Sequence, residues 1–574
     1  MPQPNQASGS NPAGVFALFA LPRAIARFSR AAEWRHGHIL RAIPLERRAP
    51  RPVMRSVQTL AFGAPAPAPA AAADNLTSEE SHTLHSDAHL IRHPAAKEEG
   101  WSLPPHVRAW SSRVPTFANI LRYRLEEGFS LGQALILVIY TAVLVYAGFL
   151  KSNPFADPLR TGFVAMSQIP VVYLLATKNN LLGMFVGLGY EKLNYIHRYA
   201  GTLLVVASNV HSLGYIYQWT IDHTFSKYVR TPEIIWAFVA LISLDLLFLF
   251  SLHSSDDGRT MYSTGSHIVF FILFLPAVHG HQPSVWPYVI AAGGAIGLDY
   301  LIRLMKTRVP QLNAGWRAGQ HVRIRILSSA MGWIGWAESH PFTIATAAKT
   351  PEGMVLLCKK TGGWTGRLYE MAKVAGYGTD ESTFGRMVQV MIEGPYGGPG
   401  HCVYASYSAA MFVVGGSGIT FALSAVQDIL QRDSEGASRV KIIEVIWSVQ
   451  DSASLTPLVP QLVALIQQSV YAPLKISVYY TRACEKPPGK DFLPPGLTLT
   501  AGRPKVAKVL DAVMSRAVSY GSGVKASMDI TGVIVGVCGP VGLSDEVAQV
   551  ISQVDAGRRW AVGGIEMHEE IFGW

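Results

Sequence analysis

The stretch TGSHIVFFILFLPAVHGHQPSVW, residues 264–286, decides how this chain is read. It is apolar enough for a membrane helix, yet it holds His267 near one end and both His279 and His281 near the other. An earlier stretch, NYIHRYAGTLLVVASNVHSLGYIY at 194–217, carries His197 and His211 at an interval of 14 residues, and His267 and His281 repeat that interval. On a helix an offset of 14 returns to within ~40° of the same face and separates two imidazoles by ~21 Å along the axis. His279, offset by 12, points ~120° away. Pro276 lies between the two candidates and can kink the helix, which keeps His279 as the alternative. An imidazole in lipid is costly unless it faces the bundle interior with a partner. One such histidine alone reads as a hydrogen-bonded packing residue. Two helices with matched same-face pairs read as shared ligands, His197 with His267 at one level and His211 with His281 at the other, a spacing that fits two bis-histidine haems across the bilayer.

Around this stretch the sequence shows six apolar segments, at 131–150, 161–177, 195–217, 234–252, 264–281 and 286–304, most near the ~20 residues that span a bilayer. Six crossings leave both ends of the bundle on one side. Arg122, Arg124, Lys178, Lys192, Arg198, Arg259, Arg303, Lys306 and Arg308 fall in the segments on that side, against Lys151, Arg160, Lys227 and Arg230 opposite. The bias puts both termini in the cytoplasm. Residues 1–113, rich in Ala, Pro, Ser, Arg and His, read as a disordered tail. Its Arg-rich, acid-poor start resembles a mitochondrial presequence, with a basic cytoplasmic tail as the equal alternative. His82, His85, His89 and His93 in it could line one helix face for a metal, though a solvated His-rich tail is the simpler reading. Asp245, inside the fourth segment, has no assigned role, and Asp299 with Arg303 reads as a local i,i+4 pair.

The chain has 574 residues, 49% of them hydrophobic, and a net charge of +10. The basic residues are spread out rather than gathered, which argues against nucleic acid and for a cytoplasm-facing membrane protein. Cys358, Cys402, Cys484 and Cys538 show no CxxC spacing, so neither a zinc site nor a disulfide framework is indicated. After about residue 310, short alternating runs between Gly/Pro turns predict a small antiparallel β-barrel. Beyond about 400, AAMFVVGG, VKIIEVIWSV, LKISVYYT and GVIVGVCG alternate with helical segments and predict a doubly wound parallel sheet. The expected division is tail 1–113, transmembrane bundle 114–308, barrel 309–402 and α/β nucleotide-binding domain 403–574.

ESHPFTIAT at 338–346, KKTGGWTGRL at 359–368, FVVGGSGIT at 412–420, GRP at 502–504, CGP at 538–540 and the terminal HEEIFGW occur in an order that resembles the ferric reductase and NADPH oxidase family. Details such as DPLRTGF and KNNLLGMFVGLGYEKLNYIHR are similar to the fungal ferric-chelate reductases. The resemblance implies a six-helix haem bundle fused to an antiparallel β-barrel that binds FAD and a doubly wound α/β domain that binds NADPH. It implies that His340, Pro341, Phe342 and Thr343 line the flavin and that Gly363, Trp364 and Thr365 lie near its pyrophosphate. Gly415, Gly416, Ser417, Gly418, Ile419 and Thr420 would hold the nicotinamide dinucleotide, with Arg503 at its extra phosphate and Cys538, Gly539 and Pro540 near the nicotinamide. Trp574 would cover the flavin ring. Two departures are Gln450 and Tyr300, each where the family often has an arginine.

The expected activity is ferric-chelate reduction: electrons from cytoplasmic NADPH pass through FAD and two haems b to a ferric or cupric acceptor across the membrane, supporting iron uptake. The alternatives are an NADPH oxidase making superoxide and a non-catalytic scaffold or transporter. The plasma membrane is the expected site, with the vacuolar or mitochondrial membrane as alternatives. Partners are the lipid bilayer, NADPH and metal chelates, with an iron permease or multicopper oxidase only indirectly.

Overall fold

The computed structural model describes residues 21–28, 103–252, 260–308, 315–333, 335–375, 387–482, 493–520, 525 and 527–571. Six long helices occupy residues 131–308, the part that holds the candidate membrane spans: α1 (Leu131–Phe149), α2 (Pro158–Ala176), α3 (Asn194–Ile221), α4 (Pro232–Leu252), α5 (Thr260–His281) and α6 (Trp286–Arg308). A capping box starts α1: Ser130 Oγ accepts from Gln133 N at 3.3 Å and Gln133 Oε1 accepts from Ser130 N at 2.8 Å. Val138, Ile139 and Val143 on α1, and Ile268, Val269 and Ile272 on α5, point outward. Outward apolar rows of this kind need lipid as their solvent. Inside, Ile169 and Tyr173 of α2 pack with Leu204 of α3, Leu244 of α4 and Phe274 of α5.

By length and composition, four helices among the described residues are long and apolar enough to cross a membrane, against the six expected: α1, α2, α4 and Pro283–Thr307, which takes in all but the last residue of α6. The difference has a chemical cause. Asn209, His211 and Gln218 dilute the hydropathy of α3, and the apolar part of α5 is the shorter His267–His281. Polar groups in the bundle find partners. Asn209 Nδ2 donates to Asp245 Oδ1 at 2.9 Å. Asp299 is not mainly paired with Arg303, whose nearest approach is 3.9 Å; its Oδ1 accepts from the backbone and side-chain N–H groups of Asn179 at 2.8 and 2.9 Å.

Beyond the membrane part, β1 (Gln320–Ile326) pairs antiparallel with β2 (His340–Thr343) and with β3 (Val390–Gly397), and helix α7 (Gly363–Ala375) packs nearby. Among the described residues this is a three-stranded sheet plus one bridge, Ile344 to Leu356, rather than a closed barrel.

The last unit is a six-stranded parallel sheet. Its elements are β4 (Ala409–Gly415), α8 (Ile419–Ser434), β5 (Ile442–Val449), α9 (Val459–Gln468), β6 (Leu474–Tyr480), β7 (Leu497–Ala501), α10 (Val506–Ser519), β8 (Val533–Gly539), α11 (Val541–Ser552), α12 (Ala556–Ala561) and β9 (Ile565–Ile571). The order is β9-β8-β4-β5-β6-β7. One face buries Phe412, Val414, Ile443 and Trp447 and the other Met411, Val413, Ile442 and Ile446, so helices cover both sides, as a fully buried parallel sheet requires.

Residues 103–113, which composition assigned to a disordered tail, pack on this unit. His106 Nδ1 is 3.1 Å from Ser406 Oγ, and Ser112 Oγ donates to Ile565 O at 3.3 Å. Helix 21–28 also reaches it through a 2.7 Å ion pair between Arg23 and Glu566. The tail histidines 82–93 lie outside the described residues.

Candidate functional site

At one level of the bundle two histidines face each other. His211 on α3 and His281 on α5 face each other with ring centroids 6.4 Å apart. Two imidazole nitrogens on opposite sides of one metal, each about 2 Å from it, put their ring centres roughly 6 Å apart, so this pair fits one shared iron. Both line a cavity of about 380 Å³ whose walls include Gly162, Ile169, Leu204 and Phe274. His279 is exposed and does not line that cavity.

The ring nitrogens that would not meet a metal are already engaged. His211 Nδ1 lies 2.7 Å from Pro158 O, His281 Nδ1 3.1 Å from Glu233 O and His197 Nδ1 3.0 Å from Val172 O. His267 bonds to the backbone of Leu247 and is within electrostatic reach of His197. An Nδ1–H held by a carbonyl fixes the tautomer and leaves the Nε2 lone pair for a ligand. Gly162 has a specific part here, because a Cβ in its place would meet His211 Cε1 at 2.6 Å and Nδ1 at 2.7 Å.

At the flavin motif, the His340 ring lies 4.5 Å from Trp364 and Phe342 lies 5.9 Å from it. Trp364 is buried, with Nε1–H donating to Gly335 O at 3.2 Å, so its indole supports the motif from beneath while exposed Gly363 opens α7. Thr365 Oγ1 accepts from the N–H groups of Thr361 and Gly362, both at 3.0 Å, which tightens the turn before that helix. Pro341 is exposed and Thr343 buried. A helix N-terminus with no Cβ in the way is a ready anion site.

The nucleotide motif sits at a topological switch point. Chain order reverses between β4 and its neighbour β8, and the loops after both strands meet there. A Cβ on Gly418 would come within 2.4 Å of Cys538 O, and one on Gly415 within 3.0 Å of Pro540. Gly416 has φ +54°, a conformation that favours glycine, and Trp447 Nε1 holds its carbonyl at 2.9 Å. Gly416 and Ser417 are exposed, Ile419 and Thr420 are buried at the start of α8, and Thr420 Oγ1 donates to Ser417 O at 3.1 Å. Cys538 is fully buried beneath this loop, and burial pushes its thiol well above the ordinary range. Gly539 follows it at the end of β8. Arg503 is exposed just past β7, three strand spacings from β4, which is roughly 14 Å along the sheet edge. Trp574 lies outside the described residues.

Sequence reasoning missed the joint between the bundle and the flavin-motif sheet. Glu393 of β3 binds Lys178 at 3.0 Å and Arg303 at 3.0 Å, and accepts from Tyr396 Oη at 2.8 Å. Burial pushes its carboxyl up, but the two cations outweigh that and hold it at about 2. A second contact joins the loop after β3 to the turn before α3: His401 Nε2 lies 2.8 Å from Phe185 O, against Gly187, where a Cβ would strike the imidazole at 2.6 Å. The glycines of GMFVGLGY and EGPYGGPGH were the available signal, since close backbone approach needs them on both sides.

Together these features define a class: an integral membrane protein in which a sheet with a flavin-type motif and an α/β unit with a nucleotide-type loop follow a histidine-bearing helical bundle. Comparison with known proteins points to the same kind of protein. Residues 161–278 match the ferric reductase like transmembrane component, 299–400 an FAD-binding domain and 407–493 the ferric reductase NAD binding domain. Ferric reductase models thus match both the membrane part and the nucleotide-binding part of the chain. It is 24% identical to a probable cell surface ferric reductase of Aspergillus oryzae over 53% of this chain and 45% of that one. It is 22% identical to ferric reductase transmembrane component 5 of Saccharomyces cerevisiae over 72% and 61% of the two chains. It is 25% identical to ferric/cupric reductase transmembrane component 7 of the same yeast over 47% and 46%. The chain thus spans about half the length of the curated relatives it matches.

Proposed function

We propose that this protein is a membrane ferric-chelate reductase that draws electrons from NADPH and delivers them across the bilayer to a ferric or cupric chelate. The observation that carries the reading is the His211–His281 pair, 6.4 Å apart across an apolar cavity, on the same chain as flavin and nucleotide motifs. His197 with His267 and His211 with His281 are then the axial ligands of two haems, and all six helices cross the membrane with both termini in the cytoplasm, in the plasma membrane. When bound, FAD converts a two-electron hydride into single electrons and haem carries them one at a time.

The residues of the chain bind, orient and separate these parts. The exposed backbone of Gly416 and Ser417 at the start of α8 takes the dinucleotide phosphates, and Arg503 takes the extra phosphate. His340, Pro341, Phe342 and Thr343 line the flavin, while Gly363 and Thr365 lead its pyrophosphate to the N-terminus of α7, with Trp364 packed beneath His340 and Phe342. Gly415 keeps the nucleotide loop close to Pro540, and Gly418 keeps it close to Cys538.

Absorbance of the detergent-purified protein tests the reading, followed by NADPH-driven chelate reduction with and without superoxide dismutase. Low-spin haem bands and dismutase-insensitive reduction are expected. Missing haem bands defeat the reading, and reduction abolished by dismutase favours an oxidase. A Gly162→Ala variant checks the outer level separately. Its methyl group displaces the His211 ring, so roughly tenfold or greater loss of outer-haem affinity is expected while the inner haem stays, measured as the haem-to-flavin ratio.

A further inference from the structure

Three parts of the chain meet at one buried spot, and acids and bases fill it. The short turn Tyr190–Leu193 leads directly into α3 and its inner histidine, His197. On that turn Glu191 brings Oε1 to 3.1 Å from His321 Nε2, with the side chains 13% and 9% exposed. His321 lies on β1 directly opposite Thr343, the last residue of the HPFT motif. Directly opposed residues of an antiparallel pair share a face, their Cβ atoms about 5 Å apart. The third side is β9, where His568 Nε2 pairs with Glu570 Oε1 at 2.8 Å and Lys192 approaches Glu570 at 3.8 Å. Neither Glu191 Oε1 nor His321 Nε2 completes a well-formed hydrogen bond among the described residues. An apolar pair would be cheaper as packing, because a buried polar atom left unsatisfied costs stability.

We propose that Glu191, with His321 beside it, takes up the proton released when the flavin gives an electron to the inner end of the bundle. This rests on the electron path proposed above. Hydride brings two electrons and one proton to the flavin, the electrons leave singly for ferric haem at the His197–His267 level, and the proton does not follow them across the membrane. A flavin N–H bond breaks, a Glu191 O–H bond forms, and one haem iron is reduced by one electron. The pair lies where this transfer needs it, between the strand facing the HPFT motif and the turn that opens the haem helix.

The electrostatics of the spot agree. Burial raises the Glu191 carboxyl to about 7; Glu570 pushes the same way, while its own backbone N–H, Lys192 and Arg323 oppose. Burial lowers His321 to about 4, helped by Arg323 and Lys178 and opposed by Glu570. At neutral pH, therefore, the imidazole is uncharged and the carboxyl is poised to gain or lose its proton. Tyr190 and Tyr396 pack on His321 with centroids 6.3 and 6.0 Å away; burial raises both phenols, so neither ionises in this range.

The test uses Glu191→Gln and Glu191→Asp in the full-length holoprotein. Infrared difference spectra of the resting protein should contain a carboxylic acid C=O band that titrates near pH 7 in the parent and is absent from E191Q. Rapid mixing with NADPH should show flavin-to-haem transfer slowed by about tenfold or more in E191Q, with its pH dependence around neutrality flattened, and largely kept in E191D. If E191Q fails to retain flavin, His321→Asn replaces it with the same expected flattening. Parent-like rate and pH profile in the variant overturn this inference alone. A parent protein without haem bands overturns the electron path and this inference with it.

Discussion

With two haems bound as proposed above, replacing His281 with alanine is expected to remove one of them, whereas replacing His279 leaves both. The two residues are neighbours in sequence, but His281 lines the cavity shared with His211, and His279 is exposed on another face of α5. His281 is also already oriented, its Nδ1 3.1 Å from Glu233 O, so the Nε2 side is free for a metal. In H281A the haem-to-flavin ratio should fall to half the parent value. Because only the outer level is lost, NADPH still reduces the flavin and the inner haem, while chelate reduction drops by about 100-fold or more. Pyridine haemochrome content and stopped-flow spectra measure the two effects separately. An H279A protein that loses a haem while H281A keeps both would show that Pro276 re-aims the helix end.

The second large effect is expected at Glu393. Glutamine there leaves Lys178 and Arg303, both mostly shielded from water, without their shared counter-charge. Removing one partner of a buried ion pair costs about 3–5 kcal/mol, and the partial exposure of the two cations brings the expectation to about 2–3 kcal/mol. Flavin release on heating should therefore begin at lower temperature in E393Q, with bundle helicity unchanged. The pH dependence has a definite sign. The carboxyl is held at about 2 against an ordinary value of 4.5, so its stabilisation is complete above 4.5 and is lost as pH falls from there towards 2. Parent and variant should converge in that acid window and differ most at neutral pH.

Much of the fold is legible because it is written in short-range patterns. Each of the six apolar segments overlaps one of the six long helices, and the runs AAMFVVGG, VKIIEVIWSV, LKISVYYT and GVIVGVCG became β4, β5, β6 and β8. Hydrophobic period and turn residues are local properties, so they survive in a sequence without coordinates. Patterns that depend on distant closure survive less well. A barrel was expected from alternating runs, and three strands with one bridge are found among the described residues. Composition likewise misread residues 103–113, whose hydrogen-bond partners include Ser406 and Ile565, hundreds of positions away.

By itself, the sequence determined the element types, the 14-residue histidine interval and the order of the flavin and nucleotide motifs, since each is a spacing or a run along one chain. Tertiary structure alone decided which partner each polar group takes. Asp299 chose Asn179 over Arg303 four residues away, Arg303 and Lys178 converged on Glu393, and Glu191 met His321. Helix periodicity tells which face a side chain occupies but not what is packed against that face. For buried charges that second fact dominates, because their free energy is set by the nearest counter-charge in a low-dielectric interior.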